Sequence, residues 1–353
     1  MKQRNQSIEC FKMIAAILVI FIHAKFPAKV DAEFPDNIGW YIDVFARIAV
    51  PFFFAISGYF SYLSRGDKVA KRLKYIFVLN IVGTLIFVIY FLTQDPDFMT
   101  KTFTMGKTAK WLLIHYNPVH YHLWYLAAML FCYFVLWVYV TFFNKDEEIN
   151  YKPLYVIGVL LFAFQIAFGS HAQLSKWVVS YFIYRNGLFF GLPMFVLGIF
   201  IHEHEKRIIT NFKLTTPKLL LVFLGGVIFG YIESKGVSLE EMPLGVVFEV
   251  IALLLFLAPR PKITTRPILT KLIAMFGNAS TFIYIMHPLF ILLYKEYVQA
   301  DLQKLAGSDE RFYYPLLIML VSVVTGLIYA ACKQVLKNLF GRANKKIQAL
   351  NKT

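Results

Sequence analysis

Ten apolar runs, each long enough for a bilayer-crossing helix, leave this chain few folds to choose from. A helix rises about 1.5 Å per residue, so 17 to 25 consecutive apolar residues cross the hydrocarbon layer. The runs lie at roughly 8–24, 38–63, 73–92, 120–143, 153–170, 178–201, 218–234, 243–258, 272–294 and 314–333. With 58% hydrophobic and 16% charged residues in 353, the chain is neither a soluble enzyme nor disordered. The expected fold is an all-α polytopic membrane protein of about ten helices. It is read as one membrane-embedded domain over 1–353 with no separate soluble domain.

Charge in the connectors orients the bundle. The net charge of +15 invites a nucleic-acid reading, but two thirds of the 36 lysines and arginines fall on one side of a ten-span topology. They are Lys2, Arg4 and Lys12, the Arg65–Lys74 cluster, Lys145 and Lys152, Lys206 to Lys218, Arg260 to Lys271, and the Lys333–Lys352 tail. By the positive-inside rule that side, with both termini, is cytoplasmic, and no nucleic-acid partner is expected. Cys10, Cys132 and Cys332 have no metal-site spacing, so neither a metal nor a disulfide framework is expected. The first run lacks a small-residue cleavage site, so no cleavable signal is read there.

Polar residues inside such runs are costly and mark functional sites. The first run, IECFKMIAAILVIFIH, carries Glu9, Lys12 and His23. At ~100° per residue these share one helical face, with His23 about 16 Å beyond Lys12. The second run holds Arg47, then Pro51, which has no N–H for the Arg47 carbonyl and so predicts a kink; Ser57 and Gly58 follow. The fourth opens with His120, His122, Trp124 and Tyr125, aromatics that also suit an interfacial belt. Two histidines at a spacing of two do not share a helix face, which argues against zinc. Arg185 and Asn186 begin the sixth run, and Tyr284 and His287, with Pro288, lie in the ninth. His23, Arg47, His122, Arg185 and His287 all come out in the outer half, which predicts a polar chamber opening outward.

These residues resemble the acyltransferase family 3 of integral membrane acyltransferases. Its first-helix pattern is an acidic residue, an arginine three positions later and a histidine eleven further on. Here it reads Glu9, Lys12, His23, with lysine in place of arginine. Further matches are ARIAVPFFFAISGYF at 46–60, HLWYLAAML at 122–130, YRNGLFFGLPMFVLG at 184–198 and IYIMHPLF at 283–290, in family order. The pattern is most like the membrane domain of the membrane-bound serine racemases of vancomycin resistance. The resemblance implies transfer of an acyl group, usually acetyl, from cytoplasmic acetyl-CoA or another short acyl-CoA to a hydroxyl of an extracytoplasmic acceptor such as a cell-surface glycan.

On that reading His23 is the general base, because neutral imidazole is available near pH 7. Arg47 is the first candidate for the oxyanion, with His122 and Arg185 next. Lys12, Arg65, Lys68, Lys71, Arg72 and Lys74 offer charge to the CoA phosphates. Glu9, Ser57, Trp124, Asn186, Tyr284 and His287 complete the expected chamber. Two other readings fit the same residues: a transporter of a small solute such as serine, and a structural or sensory partner of another membrane protein. The acceptor and the oligomeric state have no signature in the sequence.

Overall fold

A computed structural model describes residues 5–27, 35–143, 149–170, 185–235 and 243–350. The described residues form helices and no strand. In chain order these are α1 (Gln6–His23), α2 (Ile38–Ala46), α3 (Ala49–Tyr59), α4 (Gly66–Gln94), α5 (Phe98–Thr102), α6 (Met105–Ile114) and α7 (Trp124–Val138). There follow α8 (Lys152–Gln165), α9 (Leu192–Asn211), α10 (Thr216–Glu233), α11 (Leu244–Leu257), α12 (Pro267–Tyr297), α13 (Gln299–Ala306) and α14 (Glu310–Leu350). Among the described residues nine helical segments are long and apolar enough to cross a membrane, and α11, at 14 residues, is a shorter apolar helix in the place of the eighth run. The protein is an all-α multi-pass membrane protein. The first part of the sixth run, 178–184, lies outside the described residues.

The second run divides where its proline requires. Helix α2 stops at Ala46 and α3 begins at Ala49, so the break falls on Arg47 and Ile48, one turn before Pro51. The Arg47 and Ile48 amides donate three residues back, to Val44 (3.2 Å) and Phe45 (3.4 Å), which tightens the chain into a short 3₁₀-like turn. Pro288 is tolerated inside the continuous α12.

The chain forms two compact units. In the first, Met1–Ile42 with Leu257–Thr353, α1 packs on α12, and α12 on α14. The N-terminal end of α1 is latched to the loop that follows α11. Asn5 caps α1 through Oδ1, accepting from the Ile8 amide, while its Nδ2 donates to the Leu257 and Ala258 carbonyls. The Gln6 Oε1 accepts from the Ile263 and Thr264 amides at 2.7 and 2.9 Å, and the Gln6 amide donates to the Pro261 carbonyl. Ser7 Oγ donates to the Arg260 carbonyl. These bonds satisfy a helix start that hydrocarbon could not.

Helices α1 and α12 run parallel, since Glu9 lies against Gly277 at one end and His23 against His287 at the other. Seven intervening runs, an odd number, carry the chain back to the same direction, in agreement with ten spans. A Cβ on Gly277 would overlap the Glu9 carboxylate, so only glycine leaves room for it.

In the second unit, Asp43–Phe256, α3 lies tightly along α9, and α4 packs antiparallel to α7. Gly58 and Gly198 admit the close crossing of α3 and α9: a Cβ at either would meet the backbone of Phe195 or Ala55.

Replacing Gly277 by Ala is predicted to cost about 1–3 kcal/mol through overpacking against Glu9. Thermal unfolding in detergent checks it. Gly277→Ala with Glu9→Ala should recover part of the loss, and an unaltered Tm in the single variant would refute the contact.

Candidate functional site

The first unit brings its polar residues together along the face shared by α1 and α12. Lys12 Nζ lies 3.4 Å from Glu9 Oε2 and 3.4 Å from the Gly277 carbonyl, so the acidic and basic residues of the first-helix motif neutralise each other within one turn. Fourteen residues beyond Glu9, the His23 ring stacks on that of His287, with centroids 5.2 Å apart and an interplanar angle of 26°. His287 is fully buried, and its Nδ1 lies 3.0 Å from the Ile283 carbonyl. A carbonyl can only accept, so Nδ1 carries a proton, and in the neutral ring Nε2 is the acceptor. Tyr284 lies one turn back, its ring centroid 6.1 Å from that of His287.

His23 is also the last residue of α1, where the chain turns out of the helix at Ala24.

The second unit holds the other candidates. Arg47, in the break between α2 and α3, makes two hydrogen bonds to Asp43 from Nη2, at 2.9 and 3.1 Å, with both side chains nearly buried. Asp43 did not figure among the sequence candidates; its position four residues before Arg47 was the available signal. Arg185 stands over the face of Trp124 at 5.1 Å, and Trp124 is buried against Phe190. Asn186 caps the following π-helical turn, Gly187–Gly191, accepting from the Leu188 and Phe189 amides. Ser57 Oγ donates to the Phe53 carbonyl within α3.

The two histidines at 120 and 122 do meet, against the helical reading of that stretch. Helix α7 starts only at Trp124; His120 is extended and residues 121–123 form a 3₁₀ turn. Their Nδ1 atoms come within 2.6 Å, so one donates and the other accepts. Burial holds His120 well below the ordinary histidine range, at about 4, so its ring is neutral near pH 7. Its surroundings are the rings of Phe87, Phe91, Tyr121 and His122. His115, at the end of α6, is likewise held at about 4 by burial, and its Nδ1 accepts from the Gly187 amide at 3.0 Å. Among the described residues no group of three or more His, Cys, Asp or Glu is disposed to hold a metal ion.

The cluster from Arg65 to Lys74 separates in space. Arg72 turns inward, with Nη1 2.7 Å from Ser61 Oγ, whereas Lys74 borders an apolar cavity on another face of α4. Arg65, Lys68 and Lys71 are exposed. A buried carboxyl passed over in the sequence, Glu249 of α11, stands beside Gly226 and Gly230 of α10.

Two outcomes are predicted from this geometry. Removing either Asp43 or Arg47 alone leaves a buried charge and should cost about 3–5 kcal/mol, while replacing both by leucine should cost less; a double-mutant cycle on thermal stability measures the coupling. His115 and His120 bind protons more readily in the unfolded chain, so their contribution is complete above the unfolded value of 6.5 and is lost as pH falls towards about 4. His115→Gln with His120→Gln should therefore show a smaller drop in Tm between pH 7 and pH 5 than the native protein.

A family model described as an acyltransferase domain, that of acyltransferase family 3, matches residues 5–331. An Enterococcus faecalis protein named amino-acid racemase is 26% identical over 378 residues, covering 99% of this chain and 50% of its own length. A serine/alanine racemase of Enterococcus gallinarum is 26% identical over 65% of the chain and 33% of its own length. Glucans biosynthesis protein C of Salmonella schwarzengrund is 26% identical over 73% of the chain and 74% of its own length. The chain spans half or less of the length of these racemases. No solved structure matches it. With the matched region running from the cap of α1 into α14 and taking in His23 and His287, the chain belongs to the acyltransferase family 3 of membrane proteins.

Proposed function

We propose that this membrane acyltransferase moves a short acyl group, usually acetyl, from acyl-CoA on the cytoplasmic side of the cell membrane to a hydroxyl of an extracytoplasmic acceptor such as a glycan. The observation that carries the reading is the His23–His287 pair at the end of the first helix, in a chain of an acyltransferase family. A thioester is already activated, so the enzyme must chiefly deprotonate the attacking hydroxyl. His23 takes that proton, the acceptor oxygen bonds to the acyl carbon, and the carbon–sulfur bond breaks. The departing thiolate then takes the proton from His23, which returns the imidazole to its starting form. His287 keeps the His23 ring in place through its stacked contact and through its own anchor to Ile283.

Roles for the second unit's residues follow from their chemistry. Arg185 and His122 are proposed as donors to the developing oxyanion or the acceptor. Arg47, already held by Asp43, suits a fixed positive charge better than a mobile one. Arg65 and Lys68, exposed beside the start of α4, are proposed to meet the CoA phosphates. The relatives named for glucan biosynthesis favour a sugar hydroxyl as acceptor.

The test is purified protein with acetyl-CoA, following release of free CoA with and without candidate glycans. His23→Ala should lower transfer by at least about 10²-fold, the contribution of a positioned base, without shifting Tm by more than a few degrees. Native turnover in that variant would overturn the assignment of the base. Uptake of labelled serine by reconstituted protein, unaffected by acetyl-CoA, would overturn the proposed function itself.

A further inference from the structure

We infer that the face shared by α4 and α7 in the second unit is a binding groove for one anionic glycerophospholipid from the leaflet at the basic end of α4. The groove is a cavity of about 680 Å³, within the range of specific small-molecule sites. Its walls are two helical stripes. Ala70, Leu73, Phe77 and Ile81 of α4 recur at the three- and four-residue spacing of one face, opposite Leu130 and Phe134 of α7. The stripe from Ala70 to Ile81 runs about 16 Å along the helix, enough for much of an acyl chain in one leaflet.

The polar groups are placed for a lipid head and not for a second apolar helix. Lys74 borders the groove on the same stripe, near the end of α4 that carries Arg65, Lys68 and Lys71, where loop charge places the cytoplasmic leaflet. Asn80 also borders it, is almost fully buried, and has an Nδ2 with no hydrogen-bond partner among the described residues. His115 closes the far end together with Trp111. Its Nδ1 accepts from the Gly187 amide, so the proton of the neutral ring sits on Nε2 as a donor. Beyond it the Asn117 Nδ2 to Thr84 Oγ1 bond, 3.0 Å, ties the outer connector to α4. A cation and two amphiphilic donors in otherwise apolar walls call for a ligand with an anionic head, ester carbonyls and a hydrocarbon tail. A phospholipid has all three.

Trp111 provides the readout. The intact protein in phosphatidylcholine nanodiscs is titrated with phosphatidylglycerol brominated on its chains, and in parallel with brominated phosphatidylcholine. The quenching assigned to the site is the part lost in Trp111→Phe. The anionic lipid is expected to reach half-quenching at about fivefold lower mole fraction, the preference that one lysine near a membrane surface confers. Lys74→Gln should bring that ratio close to one, and Asn80→Leu should weaken quenching by both lipids, each with Tm monitored so that unfolding is recognised. Inorganic phosphate should neither quench nor compete. Equal quenching by the two lipids, or an unchanged preference in a folded Lys74→Gln protein, overturns the proposal; so does competition by phosphate alone.

Discussion

Hydrocarbon offers a peptide or a charged side chain nothing to bond, and the polar groups at the start of the first helix are matched from within the protein. The requirement shapes the first helix most. Its opening residues, Asn5, Gln6 and Ser7, bond to the loop after α11, so α1 begins in a set of polar contacts that fixes where it enters. One turn on, Lys12 and Glu9 pair with each other, and the Gly277 carbonyl takes part of the lysine's charge. With its entry and its first turns fixed, the position of His23 at the far end follows from helix geometry alone.

That arrangement explains why α12 is the partner that counts. A parallel neighbour repeats the register of α1 along the whole span, so one helix can hold both ends of another. Gly277 does so at the charged end by having no side chain, and His287 does so at the other by having an aromatic one. Pro288 fits the same scheme. It interrupts the helical hydrogen-bond ladder next to His287, because proline has no N–H to donate.

Periodicity and charge made much of this legible. Apolar run length gave the spans, and the parallel packing of α1 and α12 agrees with the number of runs between them. The proline at 51 located the break between α2 and α3 one turn upstream, where it falls. What escaped was local geometry that periodicity does not encode. A histidine two residues from another is out of reach on a helix, but a 3₁₀ turn preceded by an extended residue brings the two rings together. Asp43 was readable as the i−4 partner of Arg47, yet a single carboxylate at the start of an apolar run looks like an interface residue. The groove between α4 and α7 is invisible in the sequence for a different reason. Its two stripes become a cavity only when α6 folds back to close one end.

Helix geometry also decides what the basic cluster of α4 can do. Arg72 and Lys74 are two residues apart, so they point about 200° away from each other, and no single ligand touches both from one side of the helix. Arg72 accordingly bonds Ser61 while Lys74 borders the groove. A run of charges in sequence thus resolves into separate surfaces: a polar contact inside the unit, an exposed start of the helix proposed for the donor's phosphates, and a lysine proposed for a lipid head. A substitution at Lys74 should therefore alter lipid preference, and one at Lys68 should act on the donor, although only six residues separate them.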